Sequence, residues 1–229
     1  SDGLCQCAGT GRLKTIFPKR LNSLPHTADA VTLKAAALDN KQKASGEMKK
    51  LAMYINGAFE TGFTGQWRDV LNPATEEAIA QEPKGSGTDV DRAVAAARAA
   101  QPAWERLPAV GRGAYLRKIA AGIRARADAL TDTIVAEGGK TKDLARVEVM
   151  FTADYLDYQA EWARRYEGEI IQSDRPRENI FLFKRPLGVI AGILPWNFPF
   201  FLIARKMGPA LLAGNTIVIK PSSITPINC

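Results

Sequence analysis

The run Leu194-Pro195-Trp196-Asn197-Phe198-Pro199 holds one neutral amide between two prolines. Each proline fixes its own φ and restricts the residue before it, so the backbone around Asn197 has little freedom. A neutral amide donates a hydrogen bond without titrating. Held rigidly, it can stabilise the oxyanion that forms when a nucleophile attacks a carbonyl, a contribution of about 3–4 kcal/mol for one donor. The plainer alternative is a turn asparagine at a strand–helix boundary. Lys220 ends a second apolar run and is followed by Pro221, Ser222 and Ser223. A lysine there can donate to ribose hydroxyls or to a 2′-phosphate. Its plainer alternative is a solvated surface lysine.

The elements around these two residues share one logic. Residues 187–194 are continuously apolar and predict a buried strand. A helix is predicted from about residue 200 to residue 212, with Gly214 as a C-terminal cap. Residues 216–220 predict another buried strand. Strand, helix, strand is the βαβ start of a doubly wound parallel sheet. Ligands of such sheets bind beyond the carboxyl ends of the strands. Asn197 and Lys220 both fall there. No GxGxxG follows the first strand, so the usual dinucleotide fingerprint is absent.

Upstream, Tyr54-Ile55-Asn56-Gly57-Ala58-Phe59 carries an Asn-Gly hairpin signal. Residues 69–71 read as a strand that turns at Asn72-Pro73, and Ala78-Ile79-Ala80 read as its return. Thr88, with Asp91 three residues on, predicts a helix start. Val90, Ala93, Val94 and Ala97 lie on one face of that helix. Leu116, Ile119, Ala120, Ile123, Ala127 and Leu130 keep the spacing of a single amphipathic helix. Gly138-Gly139 ends the next one. Thr141 opens a long helix that Gly168 stops. Its stripe of Leu144, Val147, Phe151, Tyr155, Tyr158 and Trp162 reads as core or subunit packing. Residues 179–184 are strand-like.

Composition narrows the class. Of 229 residues, 46% are apolar and 24% charged, as in ordinary globular proteins. No apolar run reaches the roughly 18–20 residues that span a bilayer, so a membrane protein is not expected. The net charge of +7 is uneven: residues 1–50 hold nine Lys/Arg against four Asp/Glu, and residues 51–229 hold 22 against 20. No basic cluster is interleaved with stacking aromatics, so no nucleic-acid partner is expected. With Cys5, Cys7, Cys229 and a single histidine, His26, no metal site is expected. Free thiols point to a reducing, cytoplasmic setting. The first 47 residues lack sustained periodicity. They read as a segment outside the working fold, either upstream sequence read through or a basic leader, with Met48 as the natural start.

Pro186-Leu187-Gly188-Val189, Ile193-Leu194-Pro195-Trp196-Asn197-Phe198-Pro199, Lys206-Met207-Gly208-Pro209-Ala210-Leu211, Gly214-Asn215-Thr216 and Lys220-Pro221-Ser222 together resemble the aldehyde dehydrogenase superfamily. Asn72-Pro73-Ala74-Thr75 also fits. The match keeps one register from Met53 to Asn228. Residues 161–176 are most similar to the bacterial branch that acts on lactaldehyde and glycolaldehyde. The resemblance implies an α/β fold in residues 48–229. It would be the N-terminal portion of the family fold, with N-terminal helices, a small oligomerisation arm and an incomplete Rossmann-like doubly wound sheet, stopping before a separate catalytic domain.

The same resemblance implies NAD or NADP as cofactor. It implies oxidation of a small aldehyde to the carboxylic acid through a cysteine thiohemiacetal and an acyl-enzyme, and a homo-oligomer, dimer or tetramer, at full length. By position, Asn197 would be the oxyanion donor. Ile193, Leu194, Pro195, Trp196 and Asn197 would line the cofactor cleft. Lys220, Ser222 and Ser223 would face the adenosine ribose, and Phe198 and Arg205 the substrate.

Two departures from the family pattern matter. NAD-preferring members commonly carry Glu where this chain has Ser223; a carboxylate there repels a 2′-phosphate, so serine implies tolerance of NADP. Many members carry an aromatic residue in place of Arg205. An arginine can bind hydroxyl or carboxylate oxygens, or stand as a plain surface residue. The nucleophilic cysteine, the general-base glutamate and the Gly-rich pyrophosphate turn of the family would lie beyond Cys229. The expectation is therefore a part of a longer enzyme, inactive alone. The alternatives are a truncated, non-catalytic product that binds a partner subunit, and an enzyme of succinate-semialdehyde or betaine-aldehyde specificity.

Overall fold

The structure is a computed structural model that describes residues 48–229 and a two-residue strand, β1 (Lys14–Thr15). The leader assignment for residues 1–47 falls, apart from that strand, outside the described residues, as do Cys5, Cys7 and His26. No helix among the described residues is long and apolar enough to cross a membrane.

Strands β2 (Met53–Ile55) and β3 (Ala58–Glu60) form the hairpin expected at Asn56-Gly57. Both turn residues have positive φ, 51° and 79°, as a type I′ turn requires. Strands β4 (Trp67–Leu71) and β5 (Ala78–Pro83) pair antiparallel, also as expected.

Helix α1 (Gly87–Arg106) is capped two residues before the expected position. Ser86 and Asp89, not Thr88 and Asp91, form the capping box, with the Ser86 amide donating to Asp89 Oδ2 at 2.9 Å. The reason is tertiary. Asp89 also accepts the Phe63 amide at 3.0 Å, so this carboxylate serves the helix start and the loop before β4 at once.

The amphipathic pattern from Leu116 to Leu130 is two helices, α2 (Ala109–Arg124) and α3 (Ala127–Gly138). Ala120, Ile123 and Ala127 are buried on both sides of the break. The apolar pattern therefore shows no gap there, and no Gly or Pro marks it. Gly139 caps α3 in the left-handed conformation, as expected.

Helix α4 (Lys142–Glu161) opens after Thr141 and ends seven residues before Gly168, in a short 3-10 turn (Trp162–Arg164). Gly168 answers a different need: a Cβ on it would lie 2.1 Å from the Leu182 carbonyl oxygen. The large residues of the α4 stripe do not form this chain's core. Leu144, Val147, Phe151, Tyr158 and Trp162 are exposed, and the buried face is Ala145, Val149, Ala153, Leu156 and Ala160 with Glu148, Thr152 and Gln159. Small residues win because neighbouring helices approach closely. A Cβ on Gly113 of α2 would meet the Ala160 carbonyl at 3.1 Å.

Strands β6 (Glu169–Gln172) and β7 (Asn179–Leu182) make an exposed hairpin. Then come β8 (Val189–Ile193), α5 (Phe201–Leu212) and β9 (Thr216–Lys220). The main sheet has the order β3-β2-β1-β9-β8. The pair β8–β9 is parallel, and β1 runs antiparallel to β9. Strand β9 is buried on both faces. Val218 packs with Met53, Ile55, Ala93 and Ala97 on the α1 side, while Ile217 and Ile219 join the cluster that holds α5. The α/β class is as expected, with one parallel βαβ unit among the described residues. Strand β8 departs from the expectation of a buried strand. Gly192 faces α5 and is buried, but Ala191 and Ile193 on the other face are exposed.

The carboxyl end of α5 is capped from afar. Arg112 Nε donates to the Leu212 carbonyl at 2.8 Å, and its Nη1 donates to the carbonyls of Glu105 and Leu107. Trp104 Nε1 donates to the Leu211 carbonyl at 2.9 Å. Burial pulls the Arg112 guanidinium below its ordinary pKa, and the charges of Tyr166 and Glu105 oppose that fall.

Arg112→Met leaves these carbonyls buried without their donor. With charge-assisted bonds contributing about 1.5–3 kcal/mol each, the variant should lose at least ~3 kcal/mol. Urea unfolding checks this as a lower midpoint at unchanged slope. Gly139→Ala places a Cβ at positive φ and 2.8 Å from Pro73 Cγ. It should lose about 1–2 kcal/mol or more in the same measurement.

Candidate active site

The site is built where β8 and β9 end. Their parallel register pairs Ile193 with Lys220. The Leu194 amide donates to the Lys220 carbonyl at 3.0 Å, which extends the ladder by one residue. The chain then leaves the sheet at Pro195 and re-enters regular structure as α5.

Ile193 and Trp196 are 60% and 59% exposed. Pro195 and Asn197 are exposed as well, and Phe198 stands at 39%. Leu194 differs from its neighbours, because its side chain is buried in the core. Lys220 is half-buried, and its ammonium donates to the Pro221 carbonyl at 3.2 Å. Ser222 Oγ accepts the Ile224 amide at 3.2 Å, and Ser223 is half-buried. Arg205 stands exposed on α5, between buried Ala204 and Met207.

The start of α5 has no cap of its own. Its N-cap residue, Phe200, makes no side-chain cap bond, and its first turn contains no acid. A carboxylate from α4 takes that place. Glu148 Oε1 accepts the amides of Phe200 and Phe201 at 2.9 and 3.1 Å. Glu148 is 1% exposed, so its charge needs a partner. Lys140 supplies it: the ammonium bonds Glu148 Oε2 and sits 3.8 Å from the centre of the Phe198 ring. Phe201 in turn packs on Phe151 and Tyr155, with ring centres 4.6 and 5.5 Å apart.

A second buried glutamate acts on the segment after β9. Glu137 accepts the amides of Ile227 and Asn228 at 2.6 and 3.2 Å, and Asn228 Nδ2 donates to the Leu130 carbonyl. Thus each of the two parallel strands is followed by a segment held by a carboxylate of the helical layer.

The structure brings Ile193, Leu194 and Lys220 together and sets Asn197 four residues beyond the end of β8. Glu148, Lys140 and Glu137 do not stand out in the sequence. Their partners lie 52 residues away for Glu148 and 90 for Glu137, beyond any local pattern. One signal was available for Glu148. It shares a helical face with Ala145, Val149 and Thr152, where an acid must be buried.

A family model, aldehyde dehydrogenase family, matches residues 61–229. The chain is 66% identical over 176 residues to lactaldehyde dehydrogenase of Escherichia coli K12, covering 77% of this chain and 37% of that protein. A crystal structure of the E. coli lactaldehyde dehydrogenase superposes with a TM-score of 0.78 at 64% identity, covering 80% of this chain and 38% of that one. The chain is 43% identical over 180 residues to 3,6-anhydro-alpha-L-galactose dehydrogenase of Vibrio sp. EJY3, covering 79% of this chain and 38% of the relative. It is 38% identical over 174 residues to D-glyceraldehyde dehydrogenase (NADP(+)) of Thermoplasma acidophilum, covering 76% and 35%. The chain therefore spans little more than a third of the length of these relatives.

Proposed function

The chain belongs to the aldehyde dehydrogenase family, and on that footing we propose that it carries the oxyanion donor and the first cofactor-binding strands of an enzyme that oxidises a small hydroxyaldehyde, such as lactaldehyde or glycolaldehyde, to its acid. The observation that carries this reading is the Ile193–Lys220 register with Asn197 just beyond it. It gathers a lysine, an open apolar strand face and a fixed amide at the carboxyl edge of one parallel unit. The 66% identity to a lactaldehyde dehydrogenase supports the choice of substrate.

The residues present fit a dinucleotide. Ala191 and Ile193 leave one face of β8 open for a flat ring, and Trp196 and Pro195 extend that face. Lys220 presents an ammonium, and Ser222 and Ser223 present hydroxyls, at the end of the adjacent strand. These suit ribose oxygens. NAD or NADP, when bound, supplies the hydride acceptor. With Ser223 in place of a carboxylate, nothing at that position repels a 2′-phosphate, so NADP is accepted as well as NAD.

Asn197 does its work on the carbonyl oxygen of the substrate. When a thiolate adds to the aldehyde carbon, the electron pair of the C=O bond moves onto oxygen. The Asn197 amide, fixed between Pro195 and Pro199, donates to that oxygen and takes no proton of its own. Arg205 binds the hydroxyl of the hydroxyaldehyde, and Phe198 walls the aldehyde side. The nucleophile and the general base come from outside these 229 residues. The exposed apolar β6–β7 hairpin, with Ile170, Phe181 and Phe183 open to solvent, supports association with a second copy.

Residues 48–229 joined to the matching remainder of E. coli lactaldehyde dehydrogenase provide the test. The chimaera should reduce NAD and NADP with lactaldehyde, and NAD used a hundredfold better than NADP would refute the Ser223 argument. Asn197→Ala should lower kcat by about 10²–10³-fold. An unchanged kcat in this variant would remove Asn197 from the reaction. Arg205→Leu should raise KM for lactaldehyde more than for propanal, and equal effects on the two would count against its role.

A further inference from the structure

Five residues, 195–199, lie between two fixed points. At one end the Leu194 amide is tied to the Lys220 carbonyl; at the other the Phe200 amide is tied to Glu148. Asn197 is the middle residue of this span. Two prolines stiffen it, but they leave open how the turn tilts between its anchors. Phe198, next to Asn197, is the one residue of the span whose side chain meets a charged group among the described contacts, with Lys140 over its ring face.

We propose that the Lys140–Glu148 pair is the positioning device that sets the orientation of Asn197. The Oε1 atom of Glu148 accepts the amides of Phe200 and Phe201, so the capping bonds themselves come from Glu148. Lys140 neutralises this carboxylate at its other oxygen, Oε2. It does so from the side that presses its charge onto the face of Phe198, where a cation is attracted by the ring. The Lys140 side chain is only 13% exposed, so this attraction is little screened by salt. One lysine thus holds the carboxylate that fixes residue 200 and the ring of residue 198. Asn197 has then no independent tilt. Lys140 and Glu148 are positioning residues and touch no reacting atom. For its kinetic consequence this inference rests on the proposed role of Asn197.

The structural arm of the test uses the 229-residue chain labelled with 15N at Asn and Phe. The Asn197 side-chain signals are assigned by their loss in Asn197→Asp. Lys140→Met should shift the Asn197 side-chain amide and the Phe198 amide, leave Asn56 in the distant β2–β3 turn unmoved, and lower exchange protection at Phe200 and Phe201 by about tenfold or more. Lys140→Arg keeps the charge and the ring contact and should restore the native signals. Asn197 signals unchanged in a folded Lys140→Met variant would overturn the proposal. If that variant does not fold, Phe198→Leu removes the ring and keeps the ion pair, and it must move the Asn197 side-chain signals instead.

The kinetic arm uses the chimaera. Lys140→Met should lower kcat by about ten- to a hundredfold, as small misplacements of a catalytic group do, with KM for lactaldehyde changed by less than about threefold. Lys140→Arg should recover most of it. A loss that follows only the fraction of folded protein would overturn the positioning role. If the chimaera turns over no aldehyde at all, the proposed reaction fails, and the resonance measurements still decide whether Lys140 and Glu148 orient Asn197.

Discussion

The structure depends on one buried carboxylate. Glu148 leaves the small-residue face of α4 and terminates α5 at its first turn, where the helix has four amide donors and no acid of its own. At the other end, Arg112 and Trp104 cap the last carbonyls of the same helix. Helix α5 is therefore gripped by opposite charges that match its dipole, negative at the start and positive at the end. Because α5 is the crossover between β8 and β9, fixing it fixes where both strands finish. The Ile193–Lys220 register and the Asn197 turn follow from that.

Glu137 repeats the device one strand along. It is also fully buried, and it also takes two successive amides, here of Ile227 and Asn228. The helical layer formed by α3 and α4 thus acts as a jig for the carboxyl edge of the sheet. Loops that carry functional side chains are held by rigid elements behind them. Here a buried ion pair and hydrogen bonds are added to the apolar packing of Leu194, Phe200 and Phe201, which gives the holding direction as well as strength.

Much of this was legible in the residues. The hairpin at Asn56-Gly57, the left-handed cap at Gly139, the βαβ order, and the place of Lys220 at the end of its strand and of Asn197 just beyond its own all follow from local chemistry. The failures have a common cause. Ser86 with Asp89 and Thr88 with Asp91 offer the same local start signal for α1, and the bond from Phe63 to Asp89, 26 residues apart, favours the first. The break between α2 and α3 hides inside an unbroken apolar pattern. The aromatic stripe on α4 is the natural core candidate by size, yet the opposite face is the buried one: Ala160 lies against Gly113 of α2, and Leu156 and Gln159 lie against Gly208 of α5, where there is no room for a longer side chain on the glycine. Glu148 is a charged residue within a helix and Lys140 one in the short connection before it, and only their tertiary partners separate them from ordinary surface charges.

Strand β9 shows how little slack the crossover contains. Thr216 and Val218 face α1, with the Thr216 hydroxyl on the Ala97 carbonyl, and Ile217 and Ile219 face α5. Just before it, Gly214 turns at φ 94° and the Asn215 side chain bridges the Ala210 carbonyl and the Gly188 amide. One residue more or fewer between α5 and β9 would exchange the two faces and break that bridge together. Over evolutionary time this connection can trade one side chain for another, but it cannot change its length. Insertions and deletions among homologous chains should gather elsewhere, at the rims of the β4–β5 and β6–β7 hairpins.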